Sequence, residues 1–152
     1  MDFQLNDDQL TLRQAARDFA QTEMTAIARE LEEANEPLGR DHLKRYAEMG
    51  FLGINVAEDL GGLGLGNLEA LLVLEEFAKV SPAVAFPIFE SSVGPVRAIE
   101  HFAEAALAWR VVPKVCTGEM IVAVAMSEPD AGSALTDLKT KAEISGDVIT
   151  LN

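Results

Sequence analysis

At 152 residues the chain is long enough for one domain with a sizeable core, and its 49% apolar fraction is that of a globular protein. A formal net charge of −13 disfavours nucleic acid and anionic membrane as partners, and 6% aromatic residues argue against a base-stacking surface. The single cysteine, Cys116, excludes a disulfide framework within the chain, and the isolated His42 and His101 give no zinc-type spacing.

The acid concentrates early: eight basic and eighteen acidic side chains fall within the first 100 residues. The later cations, Arg110, Lys114, Lys139 and Lys141, lie near one turn in sequence, so an anionic small molecule stays possible. The opening Met1-Asp2-Phe3-Gln4-Leu5 lacks the basic start and apolar run of a secretory leader. No apolar run approaches the ~20 residues of a membrane span. A reducing, cytoplasmic compartment is the expectation.

The first helix is marked at its start. Asn6 is a good N-cap, Gln9 completes a capping box, and Leu5 and Leu10 have staple spacing. Asp7 and Asp8 suit the positive end of the helix dipole. Leu12, Ala16, Phe19, Met24, Ile27 and Leu31 then recur on one face, and Pro37 and Gly39 lie beyond the end. A second helix fits Asp41 to Met49, with Gly50 at the left-handed C′ position and Phe51 folding back. A glycine-rich loop runs from Gly50 to Gly66. Asn67 then caps a third helix to about Val80, with Leu68, Leu71, Leu72 and Phe77 expected inside. Ser81-Pro82 reads as N-cap and N1 of a fourth helix, broken or kinked at Pro87 and Gly94-Pro95. Another helix is expected from Ala103 to about Val112.

After Gly118 the periodicity changes. Met120 to Ala125 is a continuous apolar run, consistent with a buried strand. Lys139 to Ile144 alternates, Ser145-Gly146-Asp147 is a turn, and Val148 to Leu151 resumes as strand. The expected fold is mostly α: an N-terminal helical-bundle domain, 1–118, then the first strands of an antiparallel β domain, 119–152, which reads as truncated. A hairpin plus one strand is marginal alone and leaves edges open.

Between the apolar run and the hairpin lies Met126-Ser127-Glu128-Pro129-Asp130-Ala131-Gly132-Ser133. Backbone N–H groups in such a turn can cradle a phosphate or a flavin edge. Ser127 can hydrogen-bond a ring heteroatom, and Ser133 a phosphate oxygen. Taken alone, the same residues also make an ordinary strand connector. Gly61-Gly62-Leu63-Gly64-Leu65-Gly66 lacks G-x-G-x-x-G spacing and reads as a tight loop needing positive φ. Glu75 and Glu76 cannot face each other on a helix, so one faces solvent and the other pairs locally. Cys116 reads as a small core or rim residue, and Trp109 as a helix anchor.

Together these segments resemble the acyl-CoA dehydrogenase family, flavoproteins that oxidise the Cα–Cβ bond of acyl-CoA thioesters. Leu5 to Gln9 with Phe19, Met49 to Ile54, Glu58 to Gly64, Leu74 to Ala78, and Gly118-Glu119 with Ala125 to Pro129 and Ala131 to Ser133 carry the resemblance in order. It implies FAD as cofactor, with Val124, Met126 and Ser127 along the isoalloxazine and Ser127 hydrogen-bonding it. Gly132 and Ser133 would reach the phosphates, and Ser133 also the CoA. Phe86, Phe89 and Val93 would line the acyl cavity. An acyl-CoA substrate, an electron-transfer flavoprotein or similar acceptor, and a homo-oligomer in full-length form are implied too.

Three positions depart from the family pattern: Ala57 for proline, Ala134 for aspartate after Gly-Ser, and Ala103 for glycine. The family's glutamate base lies downstream of the region resembled, so no catalytic residue is assigned and the chain alone is expected to be inactive. The alternatives are a non-catalytic helical partner or regulatory subunit, and a related flavin oxidase or monooxygenase.

Overall fold

The computed structural model describes residues 4–152. The reading of the leader at residues 1–5 therefore lies partly outside the described residues. Helix α1 spans Asp7–Phe19. The Asn6 side chain accepts from the Gln9 N–H at 2.8 Å while Gln9 Oε1 accepts from the Asn6 N–H at 3.1 Å, the expected reciprocal capping box. A π turn, Ala20–Met24, joins α1 to α2, Thr25–Ala34. That rod ends at Asn35 in the left-handed region (φ 55°), before Pro37 as expected.

Helix α3 spans Arg40–Glu48. Its end is a Schellman motif: the Phe51 N–H donates to Tyr46 O and the Gly50 N–H to Ala47 O, both at 2.9 Å. Gly50 takes φ +75°, which an L side chain rarely adopts. Helix α4 is Asn67–Ala78, but its N-cap is Gly66, so Asn67 is the first helical residue and not the cap. Its Asn67 side chain instead accepts from the Asn55 amide at 2.6 Å. The buried face of α4 is Ala70, Leu72, Val73, Glu76 and Phe77. Leu68 and Leu71 point outward, contrary to expectation, because a core face centred on Ala70, Val73 and Phe77 turns them to the opposite side.

Ser81 caps α5, Pro82–Ile88, through the Ala83 N–H, and Pro82 stands at the first turn. The expected break is a second π turn, Phe89–Val93, followed by α6, Pro95–Phe102. Helix α7, Ala105–Cys116, begins later and runs a full turn further than the sequence pattern indicates. Trp109 is more than half exposed on α7, so it does not anchor that helix; Ala108, Val112 and Val115 do.

Two apolar clusters hold the helices. In the first, Phe19, Tyr46, Phe51 and Phe77 form an aromatic box with ring centroids 5.0–5.9 Å apart, mostly edge to face. The buried Tyr46 hydroxyl donates to Val84 O at 3.0 Å, and burial pushes its pKa well up. The second cluster joins Val56, Leu60, Val96, Ala108, Val112, Val115 and Cys116. Burial raises the Cys116 thiol to about 11.

The predicted strand Met120 to Ala125 does not form. The segment has no regular secondary structure and pairs with no strand among the described residues. Met120 and Val122 pack on the second cluster, whereas Ile121 and Val124 are half exposed. A continuous apolar run becomes a buried strand only where neighbouring strands flank it. The hairpin does form: β1, Ala142–Ser145, pairs antiparallel with β2, Val148–Leu151, across the Gly146-Asp147 turn. The register Ala142↔Leu151 and Ile144↔Ile149 gathers these four apolar side chains on one face. Glu143, Ser145, Val148 and Thr150 take the other.

Candidate functional site

The site is built where α7 hands over to irregular chain. Gly118 closes α7 at φ +73°, and the Met120 N–H donates to Lys114 O at 3.0 Å. Arg40 clamps the exit by donating to Glu119 O at 2.6 Å. Beyond it, Val124 and Met126 each stand half exposed, and Ser127 is exposed. The chain then reverses at Glu128-Pro129-Asp130-Ala131, with the Glu128 N–H donating to Ala131 O at 2.9 Å and the Ala131 N–H to Glu128 O at 3.1 Å. Ala131 is buried, which seats the turn.

Gly132 and Ser133 follow on the outer side. A Cβ placed on Gly132 would meet nothing within 4 Å, and Ser133 is exposed. Among the described residues, none accepts a hydrogen bond from the backbone N–H of Gly132 or Ser133. These are two consecutive donors beside open space, with apolar Val124 and Met126 earlier on the same segment. The donor set suits an anionic or ring-edge acceptor.

Glu128 is the residue that sequence reasoning passed over. Its Oε2 accepts the Lys139 N–H at 2.8 Å and its Oε1 the Thr140 N–H at 2.9 Å. Hydrogen bonding from Thr140, then from the Lys139 N–H, holds its carboxyl below the usual carboxylate range. Lys139 Nζ also lies 3.3 Å from Asp130. No local pattern announces a contact eleven residues away.

The acyl-cavity candidates separate. Phe86 and Phe89, with ring centroids 5.7 Å apart, border a groove completed by Leu74, Ala78, Pro82 and Ala85. No polar side chain lines it. Val93 packs against the first core cluster instead. Glu90, which follows Phe89 on the π turn, faces a different crevice with Leu43, Leu52 and Met120, where burial raises its carboxyl pKa.

The glycine run from Gly61 to Leu65 has its donors taken. Its N–H groups are used internally: Gly62 to Ala57 O, Leu63 to Gly53 O, Gly64 to Val56 O and Leu65 to Ile54 O, at 2.8–3.1 Å. With these donors used internally, the glycine run serves the loop's own fold. Glu75 is exposed and pairs with Lys79, while Glu76 is buried and takes both Arg17 and Lys79. Among the described residues, no His, Cys, Asp and Glu side chains gather as a metal site, and no helix is long and apolar enough to cross a membrane.

An α-helical body followed by a small-residue turn is an arrangement this chain shares with solved acyl-CoA and glutaryl-coenzyme A dehydrogenases. Residues 6–119 match the family described as "Acyl-CoA dehydrogenase, N-terminal domain", and the chain belongs to that family. It is 38% identical over 149 residues to mitochondrial isovaleryl-CoA dehydrogenase of Bos taurus, covering 97% of this chain and 35% of the relative. The solved glutaryl-coenzyme A dehydrogenase–glutaryl-CoA complex superposes over 100% of this chain and 39% of its own, with TM-score 0.90 and 28% identity. The FAD complex of PigA does so over 100% and 40%, with TM-score 0.86 and 27% identity. The chain thus spans little more than a third of the length of these relatives. The fold and family expected from the sequence are borne out.

Proposed function

We propose that this chain is the N-terminal part of an FAD-dependent acyl-CoA dehydrogenase and supplies the shelf on which the flavin rests. The observation that carries this reading is the open turn at Gly132-Ser133, with its two unpaired backbone donors, in a member of the family. Val124 and Met126 offer apolar contact to the ring face, and the Ser127 hydroxyl a hydrogen bond to its edge. Gly132 and Ser133 donate to the pyrophosphate, and Ser133 also to the CoA portion of the substrate. FAD, when bound, supplies the hydride acceptor. The chain's own residues bind and orient; the proton-abstracting carboxylate is assigned to none of them, and the chain alone is expected to be inactive.

We place the boundary between the helical domain and the β domain at residues 118 and 119, where α7 has ended. Phe86 and Phe89 line the acyl side, and Val93 supports them from within the core. A groove without polar lining favours a hydrocarbon acyl tail over one bearing a carboxylate, since a buried charge without a partner is costly. The reducing equivalents gained from the substrate pass to an electron-transfer flavoprotein or similar acceptor, and the full-length protein is a homo-oligomer.

The test is turnover by the full-length protein, with an artificial electron acceptor, of isovaleryl-CoA and glutaryl-CoA in parallel. The expected result is FAD-dependent oxidation of isovaleryl-CoA at least about tenfold faster, the discrimination that ~1.4 kcal/mol gives. A full-length protein that neither retains FAD nor oxidises any acyl-CoA overturns the reading and favours a non-catalytic partner subunit.

A further inference from the structure

We infer that Glu128 is a positioning residue that holds the cofactor-binding turn in its binding conformation, an inference that rests on the FAD reading above. Three observations converge on it. The Glu128 backbone closes the turn through its two bonds with Ala131. Its carboxylate accepts two consecutive amides, Lys139 and Thr140, at 2.8 and 2.9 Å. Those amides stand immediately before the hairpin, whose pairing begins with Lys141 bonded both ways to Asn152 at 2.9 and 3.1 Å. One side chain therefore pins both ends of the loop that carries Gly132 and Ser133.

Other ties across this loop are weaker. The Lys139–Asp130 pair is three-quarters exposed on both sides, and such pairs contribute little. The short 3₁₀ turn Leu135–Asp137 is internal to the loop and cannot fix its ends. Two bonds to an ionised carboxylate are stronger than neutral ones. By closing the loop in advance, they remove ordering cost that cofactor binding would otherwise meet.

The chemistry also dictates what can replace Glu128. Two adjacent N–H donors need two acceptor oxygens on one side chain. Glutamine keeps the size but sets an NH₂ donor against one of the amides. Glu128→Gln is thus a near-isosteric test of the carboxylate itself.

The experiment uses the full-length protein, stripped of flavin and titrated with FAD, reading flavin fluorescence and the visible absorption band. Glu128→Gln is expected to weaken FAD binding roughly ten- to hundredfold, the range for hydrogen bonds to a charged group. At saturating FAD its flavin band should be broadened toward that of free FAD. Asp130→Ala, which removes only the exposed pair, should change affinity less than about twofold. The thermal midpoint of flavin-free Glu128→Gln should stay near that of the parent, which separates turn positioning from general stability. Wild-type affinity and spectrum in Glu128→Gln would overturn the inference while leaving the FAD reading intact. A parent protein that takes up no FAD would overturn both.

Discussion

The buried carboxylate of Glu76 makes a quantitative case for long-range pairing. Its side chain is only 1% exposed, yet it carries two 3.0 Å bonds from Arg17, fifty-nine residues away, and one of 2.9 Å from Lys79. Arg17→Met keeps the aliphatic stem against α4 and removes the guanidinium. Stripping one partner from a buried pair costs about 3–5 kcal/mol. Here Lys79 remains and Arg17 is 37% exposed, so the expected loss is roughly 2 kcal/mol. That should lower the thermal midpoint by about 4–8 °C in a chain of this size. Adding Glu76→Gln to Arg17→Met removes the stranded charge, so the double variant should lose less than the two single losses together, by at least about 1 kcal/mol. The Arg17 hydrogen bond, foremost, lowers the Glu76 pKa. A lowered carboxylate pKa stabilises the fold fully above the ordinary glutamate range, and that stability is lost as pH falls through the lowered value. The gap between parent and Glu76→Gln should therefore narrow below roughly pH 4. Urea and thermal unfolding followed by far-UV circular dichroism read all of this. An Arg17→Met loss under about 0.5 kcal/mol, or strict additivity, would refute the coupling.

Two further outcomes test the scaffold that carries the site. A Cβ at Gly62 would lie 2.2 Å from Val56 O, a backbone atom that cannot step aside. Gly62→Ala should therefore cost at least about 1–3 kcal/mol in urea melts, the usual penalty for overpacking; a neutral result would show that the loop breathes. Asn6→Ala removes the reciprocal cap and should cost about 1 kcal/mol, visible as fraying in amide exchange over the first turn of α1.

What the sequence reveals here is mainly local. The Asn6–Gln9 cap, Gly50 with Phe51, Ser81-Pro82 and the Gly146 hairpin turn each depend on neighbours within a few positions, and each appears in the structure. What escaped depends on distant partners. The run Met120 to Ala125 is apolar enough for a buried strand, but apolarity does not supply the strands beside it. Leu68, Leu71 and Trp109 are large and apolar, yet the helices present Ala70, Val73 and Ala108 to their neighbours. At the candidate site, Ser127, Gly132 and Ser133 are readable as turn chemistry, whereas the Glu128 carboxylate acts only once residues 139 and 140 have folded back.

The π turn at Ala20–Met24 changes the phase of the first rod. Ala16 and Phe19 set the buried face of α1, and the next buried residues, Ala20 and Met24, lie in the π turn. In an uninterrupted α-helix that phase would bring Glu23 inward; here Glu23 instead meets Arg45 at 3.2 Å on the surface. The extra residue resembles an insertion absorbed in place. A homologue whose first helix lacks the widened turn should therefore be aligned to this one with a one-residue gap between positions 20 and 24. Without that gap, every residue from Thr25 to Ala34 would be compared with a neighbour roughly 100° around the cylinder from its true counterpart.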